Sequence, residues 1–229
     1  MASTLSLPIV DLEPFLKDPT SDESRVECEK AAAAIKTYSA LAVRDPRVSE
    51  AHNALFLDTI EDYFAQPLEA KLKDVRPEVG YQIGATPENT EVPRCGRDDD
   101  CKERVDKMSA ENKPLDFNHA DPKWRFFWRI GEAPKETKFE RLNAAPVVPE
   151  AFPQWEEVMN GWGGKMHTAV MCLAEMLAIG FGLPQDTFVR MAQYGPHLLA
   201  PTGSDLEKYG KVGTVLAGKQ FFFLRPPHN

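Results

Sequence analysis

Several signals that define large protein classes are missing from the 229-residue sequence. It has no run of about 18 apolar residues, so it predicts no membrane span. The N-terminus lacks the charged segment and long apolar stretch of a secretory signal. Basic residues are outnumbered, 27 Lys and Arg against 35 Asp and Glu, which gives a formal charge of −8. Because phosphate contacts supply most nucleic-acid affinity, we expect a cytoplasmic protein that binds neither nucleic acid nor membrane.

Cysteines are also few, four in all, and none are in CxxC spacing. Cys28 and Cys172 fall in helical patterns, which predicts buried thiols. Cys95 and Cys101 flank three aspartates and could pair or hold a metal, but a reducing compartment argues against a disulfide. The sequence has no glycine-rich phosphate loop, and no spacing supports a Ser–His–Asp or Cys–His catalytic set.

The local patterns predict an α+β protein whose helices dominate the first 190 residues. Short apolar runs predict strands, and apolar residues at helical spacing predict helices. The predicted strands are residues 7–12, 40–43, 197–200, 214–217 and 221–224; the predicted helices are 20–38, 48–64, 153–180 and a short one from Asp186. Thr20 and Glu23 have the spacing of a capping box. Since most strands come last, we expect a sheet that has barely begun.

Two segments in the middle of the chain are less regular. Residues 75–122 are rich in Pro, Gly, Asp and Asn, which predicts a long loop. Residues 124–129 interleave aromatic side chains with arginines. Such a pattern can stack nucleobases. Packing of the aromatics on the core, with the arginine stems alongside, is the favoured interpretation.

Four stretches, taken in order, resemble the isopenicillin N synthase-like branch of the iron(II)/2-oxoglutarate-dependent dioxygenases. They are the strand at 7–12, the aromatic-x-x-Pro-x-x-x-Lys pattern at 64–71, Gly80-Tyr81 with Gly84, and the long helix at 162–183. The resemblance implies a helix-rich N-terminal layer followed by an incomplete double-stranded β-helix (jelly-roll) edge. It implies an N-terminal region over 1–150, the long helix and first jelly-roll strands over 151–218, and a tail outside the family at 219–229.

Members of that family hold iron(II) through His-x-Asp on one strand and a second His further along, and an Arg grips 2-oxoglutarate. That strand is expected near residues 214–218, but residues 219–229 contain no such motif. The resemblance therefore implies no catalytic, cofactor-binding or metal-binding residue in this chain; iron(II) and 2-oxoglutarate belong to full-length relatives. We expect a truncated, inactive chain, whose tail has the sequence expected of a retained intron.

The histidines offer little to replace the missing motif. His119-Ala120-Asp121 spells His-x-Asp, but it falls in the predicted loop, whereas a metal site needs a rigid strand. His167 is predicted to be partly buried and hydrogen-bonded on the long helix, and His197 to start a strand. His52 is predicted on a helix surface and His228 in a mobile terminus.

Three functional hypotheses stay open. The first is an inactive chain of the oxygenase family. The second is a binding or regulatory module that pairs with a full-length homologue. The third is an active enzyme of another class. Incomplete burial of apolar surface predicts either aggregation or a covering partner, a homologue or a chaperone.

Overall fold

The computed structural model describes residues 6–114 and 120–210. Predictions for the strands at 214–217 and 221–224, the tail at 219–229, His119 and His228 lie outside these residues. Helices dominate, and the strands are few and short, as predicted. In chain order the elements are β1 (Ile9–Asp11), α1 (Glu13–Lys17), α2 (Asp22–Tyr38), β2 (Ala42–Arg44), α3 (Glu50–Ala65), α4 (Leu68–Leu72), β3 (Gly84–Thr86), α5 (Asp99–Asp106), β4 (Lys123–Arg129), α6 (Trp155–Gly180), α7 (Thr187–Ala192), β5 (Leu198–Leu199), β6 (Thr202–Ser204) and α8 (Leu206–Tyr209).

Serine side chains cap the N-termini of α2 and α3. Ser21 caps α2 by accepting a hydrogen bond from the Ser24 backbone N–H, so the predicted cap at Thr20 is wrong by one residue. Thr20 instead donates its hydroxyl to Asp18. Ser49 forms a reciprocal capping box with His52 at the start of α3, which satisfies backbone donors that no helical carbonyl can reach.

The antiparallel sheet is built around β4, much earlier in the chain than predicted. β4 pairs with β3 on one side and with β5 and β6 on the other. Burial alternates strictly along it, with Trp124, Phe126 and Trp128 facing the core. The packing interpretation of residues 124–129 is thus confirmed, and their period of two was the signal for a strand. A separate parallel pair joins β1 to β2.

The predicted loop over residues 75–122 contains regular structure. It includes β3, α5 and two 3-10 turns at Pro77–Val79 and Arg94–Gly96. Asp98 caps α5 by accepting from the Cys101 N–H, a local bond that composition alone does not reveal. Asn89 and Glu91 exchange backbone hydrogen bonds with Asp121, which fixes the segment beside β4.

Two hydrophobic cores lie along α6. The first half of the helix packs with α3, β3 and β4 around Tyr63, Phe126 and Trp155. The ring centroids of Tyr63 and Phe126 lie 4.9 and 4.7 Å from that of Trp155, distances typical of favourable aromatic pairs. The second half packs with β1, α1 and α2 around Cys28, Cys172 and Met176. The prediction that both cysteines are buried is confirmed.

Three apolar residues, which helical spacing predicts to face the core, are exposed. Val170 on α6 is 58% exposed and Met191 on α7 is 80% exposed. Leu55 on α3 is 56% exposed, whereas the next residue, Phe56, packs against Trp162 of α6. In the described residues no helix has both the length and the apolar character needed to cross a bilayer.

Candidate functional site

Of the His119-Ala120-Asp121 sequence, the structure describes Ala120 and Asp121, and Asp121 forms an ion pair. Asp121 is 3% exposed, and its Oδ2 lies 2.5 Å from the Lys123 ammonium. Glu91 bridges this lysine and Arg125, so a charged cluster covers the outer face of β4. Burial lowers the pKa of Arg125, while Glu91 opposes that shift. Asp121 is thus paired with Lys123 through Oδ2, whereas its Oδ1 is buried without a hydrogen-bond partner in the described residues.

Arg125 also stacks its guanidinium 3.7 Å from the centroid of the Phe127 ring. Arg129 donates from its Nη1 to the Leu142 carbonyl at 3.2 Å. Both arginine stems lie along the sheet as expected, and both heads have protein partners. The outer face of β4 is therefore already occupied by contacts within the chain.

A second polar pair lies inside the first core. The Tyr63 hydroxyl donates to Asp74 Oδ2 at 3.0 Å, and Asp74 is 6% exposed. Burial raises the pKa of Asp74, and the Tyr63 hydrogen bond opposes part of that rise. Burial beside this carboxylate likewise raises the pKa of Tyr63. The pair joins α3 to the turn before β3 and is enclosed, so it is a structural element.

Two histidines that are distant in sequence meet beside α7. His167 on α6 and His197 before β5 have ring centroids 4.5 Å apart. His167 Nε2 is buried without a hydrogen-bond partner in the described part of the chain, so the predicted hydrogen bond is not found at that atom. The pair borders a cavity of about 310 Å³ that Glu132 and Tyr194 also line. Burial and the neighbouring His197 lower the pKa of His167.

Cys95 and Cys101 are joined by a disulfide with a Cα–Cα distance of 4.8 Å. The prediction from a reducing compartment is therefore wrong for this pair. The cause is local: the turn at Arg94–Gly96 and the cap of α5 bring the two residues together. Cys28 and Cys172 stay as buried thiols, and burial raises the pKa of Cys28 to about 11.

The ligand set expected for iron is not found in residues 6–114 and 120–210. No three His, Cys, Asp or Glu side chains there lie close enough to hold a metal ion together. The described residues therefore do not fit a site with two histidines and one carboxylate. The sequence did not predict the His167–His197 pair. Its members are 30 residues apart, and they meet only because the chain turns back after α7.

Comparison with solved structures identifies proteins that share this architecture. A 2OG-Fe(II) oxygenase family protein from Caulobacter crescentus matches 87% of this chain with a TM-score of 0.64 and 17% identity. The described residues have the fold of about half of that oxygenase family protein. A full-length protein from Neurospora crassa, solved in complex with alpha-KG, matches 88% of the chain with a TM-score of 0.58 and 15% identity. JOX2, in complex with 2OG, Fe and JA, matches 86% with a TM-score of 0.52 and 15% identity.

The match covers only about half of each of these solved structures. The chain spans 56% of the Caulobacter protein, 55% of the Neurospora protein and 46% of JOX2. No family model matches the sequence, and no curated protein matches it. At these identities the likeness establishes the fold, which the four short stretches of sequence had indicated.

Proposed function

We propose that residues 6–210 form the N-terminal helical layer and the first jelly-roll edge of a non-haem 2-oxoglutarate oxygenase of the isopenicillin N synthase-like branch. The observation that carries the proposal is the oxygenase fold over 87% of this chain but only 56% of the Caulobacter neighbour. The antiparallel sheet around β4, packed by one face on α6, supports the assignment of a jelly-roll edge. In a longer chain with the full metal motif, this region would belong to an enzyme that oxidises a small organic molecule.

The 229 residues themselves are proposed to have no oxygenase activity. Asp121 is paired with Lys123, and the described residues offer no joint ligand set of three. Residues 211–229 contain one histidine, His228, and no acidic residue. Iron(II) and 2-oxoglutarate are proposed as cofactors of full-length relatives only.

The test is anaerobic iron(II) titration of the purified chain, followed by assay of succinate released from 2-oxoglutarate in air. We expect no stoichiometric iron and no succinate above the protein-free rate. Asp121→Asn serves as the matched control, because any site built on His119-Ala120-Asp121 would lose its carboxylate in that variant. One tightly bound iron per chain together with succinate release would overturn the proposal.

A binding or regulatory module is the second candidate function. In the described residues β5 pairs only with β4, and Met191 on α7 and Val170 on α6 are exposed. An open edge and exposed apolar side chains favour association with another chain. A full-length homologue or a chaperone is the proposed partner.

Size-exclusion chromatography and thermal unfolding of the isolated chain separate the two candidates. The truncated-chain proposal expects aggregates or a broad transition. A stable monomer with one sharp transition would favour the module, and a mixed oligomer with a full-length homologue would support it directly.

Cytoplasmic location is a further part of the proposal, and it rests on the acidic composition and on the reducing environment expected for the two buried thiols. The Cys95–Cys101 disulfide is the observation that opposes it. Thiol labelling of the chain in rapidly quenched cells would decide the matter.

A further inference from the structure

The Cys95–Cys101 disulfide joins two short elements that have little other support. Its cysteines are six positions apart, one in the turn at Arg94–Gly96 and the other in the first turn of α5. That turn is the main neighbour of α5 among the described elements. Val105 is the one buried residue of α5, and an isolated helix of eight residues is marginal in water. The order of α5 therefore depends on its N-terminal end, where the disulfide is attached.

Asp98 adds two weaker links between the same turn and helix. Its Oδ1 accepts a hydrogen bond from the Cys101 backbone N–H at 3.0 Å, and its Oδ2 accepts from Arg94 Nε at 2.7 Å. The ion pair with Arg94 is at the surface, where such pairs contribute little to stability. The covalent bond is thus the strongest connection between the turn and α5.

The disulfide restricts the open form of this segment. For a loop of this size, the chain-entropy relation gives about fiftyfold fewer open conformations in the oxidised chain. Opening is correspondingly more frequent once the bond is reduced. It stays local, because neither hydrophobic core contains Cys95, Cys101 or Val105. The rest of the fold can therefore persist when the disulfide is broken.

Of the four cysteines, Cys95 and Cys101 are the accessible ones. Both are partly exposed, whereas Cys28 and Cys172 are buried. Burial raises the pKa of both buried thiols, to about 11 for Cys28, so few of them are thiolates at neutral pH. Because the thiolate is the species that attacks a disulfide, exchange with small molecules takes place at Cys95 and Cys101.

We propose that Cys95 and Cys101 form a reversible thiol–disulfide switch that orders α5 when oxidised and lets it open when reduced. In oxidation, one thiolate attacks a small-molecule disulfide such as oxidised glutathione and releases one reduced thiol. The second thiolate then attacks the protein sulfur of the mixed disulfide, and the second reduced thiol leaves. Two protein thiols thus lose two electrons and two protons, and the small disulfide gains them. Such a pair is compatible with a reducing compartment, where disulfides are usually transient and redox-sensing.

The test is hydrogen exchange of the full 229-residue chain, equilibrated with mixtures of reduced and oxidised glutathione and followed peptide by peptide by mass spectrometry. We expect the backbone amides of α5 to exchange at least tenfold faster in the reduced chain. The amides of β4 should be unchanged, because its ladders with β3 and β6 do not involve the disulfide. Return to oxidised glutathione should restore the slow exchange of α5.

The double variant Cys95→Ser with Cys101→Ser cannot form the bond. Its α5 should exchange at the rate of reduced wild type in every glutathione mixture. Cys172→Ala, which removes a buried thiol from α6, is the matched control and should keep the full redox response of α5.

Equal exchange of α5 in the oxidised and reduced wild-type chains would overturn the proposal. A bond that stays closed in a large excess of reduced glutathione would also overturn it, because the disulfide would then be a permanent structural link. So would a pair that stays reduced in a large excess of oxidised glutathione.

Discussion

The contact between α2 and α6 leaves no room for a side chain at Gly180. A Cβ at this position would lie 2.2 Å from the Cys28 carbonyl oxygen and 2.9 Å from the Ala32 Cβ. The first of these atoms belongs to a helix backbone, so it cannot move aside as a flexible side chain would. Gly180 has no positive φ, and the strain in Gly180→Ala therefore comes from the packing contact. We expect the substitution to cost about 1–3 kcal/mol of unfolding free energy, as overpacked cores do.

Gly164 provides the matched control on the same helix. It is exposed, and nothing lies within 4 Å of a Cβ built there. Gly164→Ala should gain up to about 1 kcal/mol, because alanine is the better helix former. The two variants thus add the same methyl group to α6 with opposite effects on stability.

Urea unfolding followed by fluorescence of the four tryptophans measures both variants. In a chain of this size, each kcal/mol shifts the thermal midpoint by about 2–4 °C, so thermal scans provide a second reading. A Gly180→Ala variant as stable as wild type would refute the close contact of α2 with α6. A Gly164→Ala variant as unstable as Gly180→Ala would show that the loss came from helix geometry instead.

Three further predictions follow from the polar groups. Burial holds the pKa of Asp74 above its usual 3.8, so the folded state binds the proton more tightly than the unfolded state, and the free energy of unfolding falls as pH rises through the raised pKa. The Asp74→Asn variant should therefore have a higher urea midpoint than wild type at pH 7, and the difference should close as pH falls toward 3.8. Under native, non-reducing conditions no cysteine should react rapidly with a thiol reagent, and mild dithiothreitol should expose two, which Cys95→Ser with Cys101→Ser removes; two rapid labels before reduction would contradict the pairing. His119→Ala should leave any measured metal affinity unchanged, and a tenfold loss would show that His-Ala-Asp is more than a coincidence of spelling.

Local patterns in the sequence predicted the helices well and the sheet poorly. α2, α3 and α6 have long apolar periodicity and clear ends, and the structure places each within a few residues of the prediction. β4 was not predicted as a strand. Its arginines and aromatic residues were interpreted by their side-chain chemistry, and their period of two was not used. α5 was missed because its single buried residue, Val105, gives no periodic signal in so short a helix.

The contact between His167 and His197 could not have been predicted from local sequence. Only the path of the chain from α6 through α7 brings His167 to His197. The buried Tyr63–Asp74 pair is a similar case, since its partners lie on α3 and in the turn before β3.

The division of α6 between two cores has a consequence for how the molecule opens. Trp155, Val158 and Met159 anchor one end of the helix, and Cys172 and Met176 anchor the other. Between these anchors lie Gly161, Gly163 and Gly164, residues that weaken a helix by about 1 kcal/mol each relative to alanine. Because the two ends of α6 pack in different cores and its middle is the weaker part, we expect the two ends to open as separate units of local unfolding. The backbone amides that follow the glycines should then exchange with solvent sooner than those beside either core.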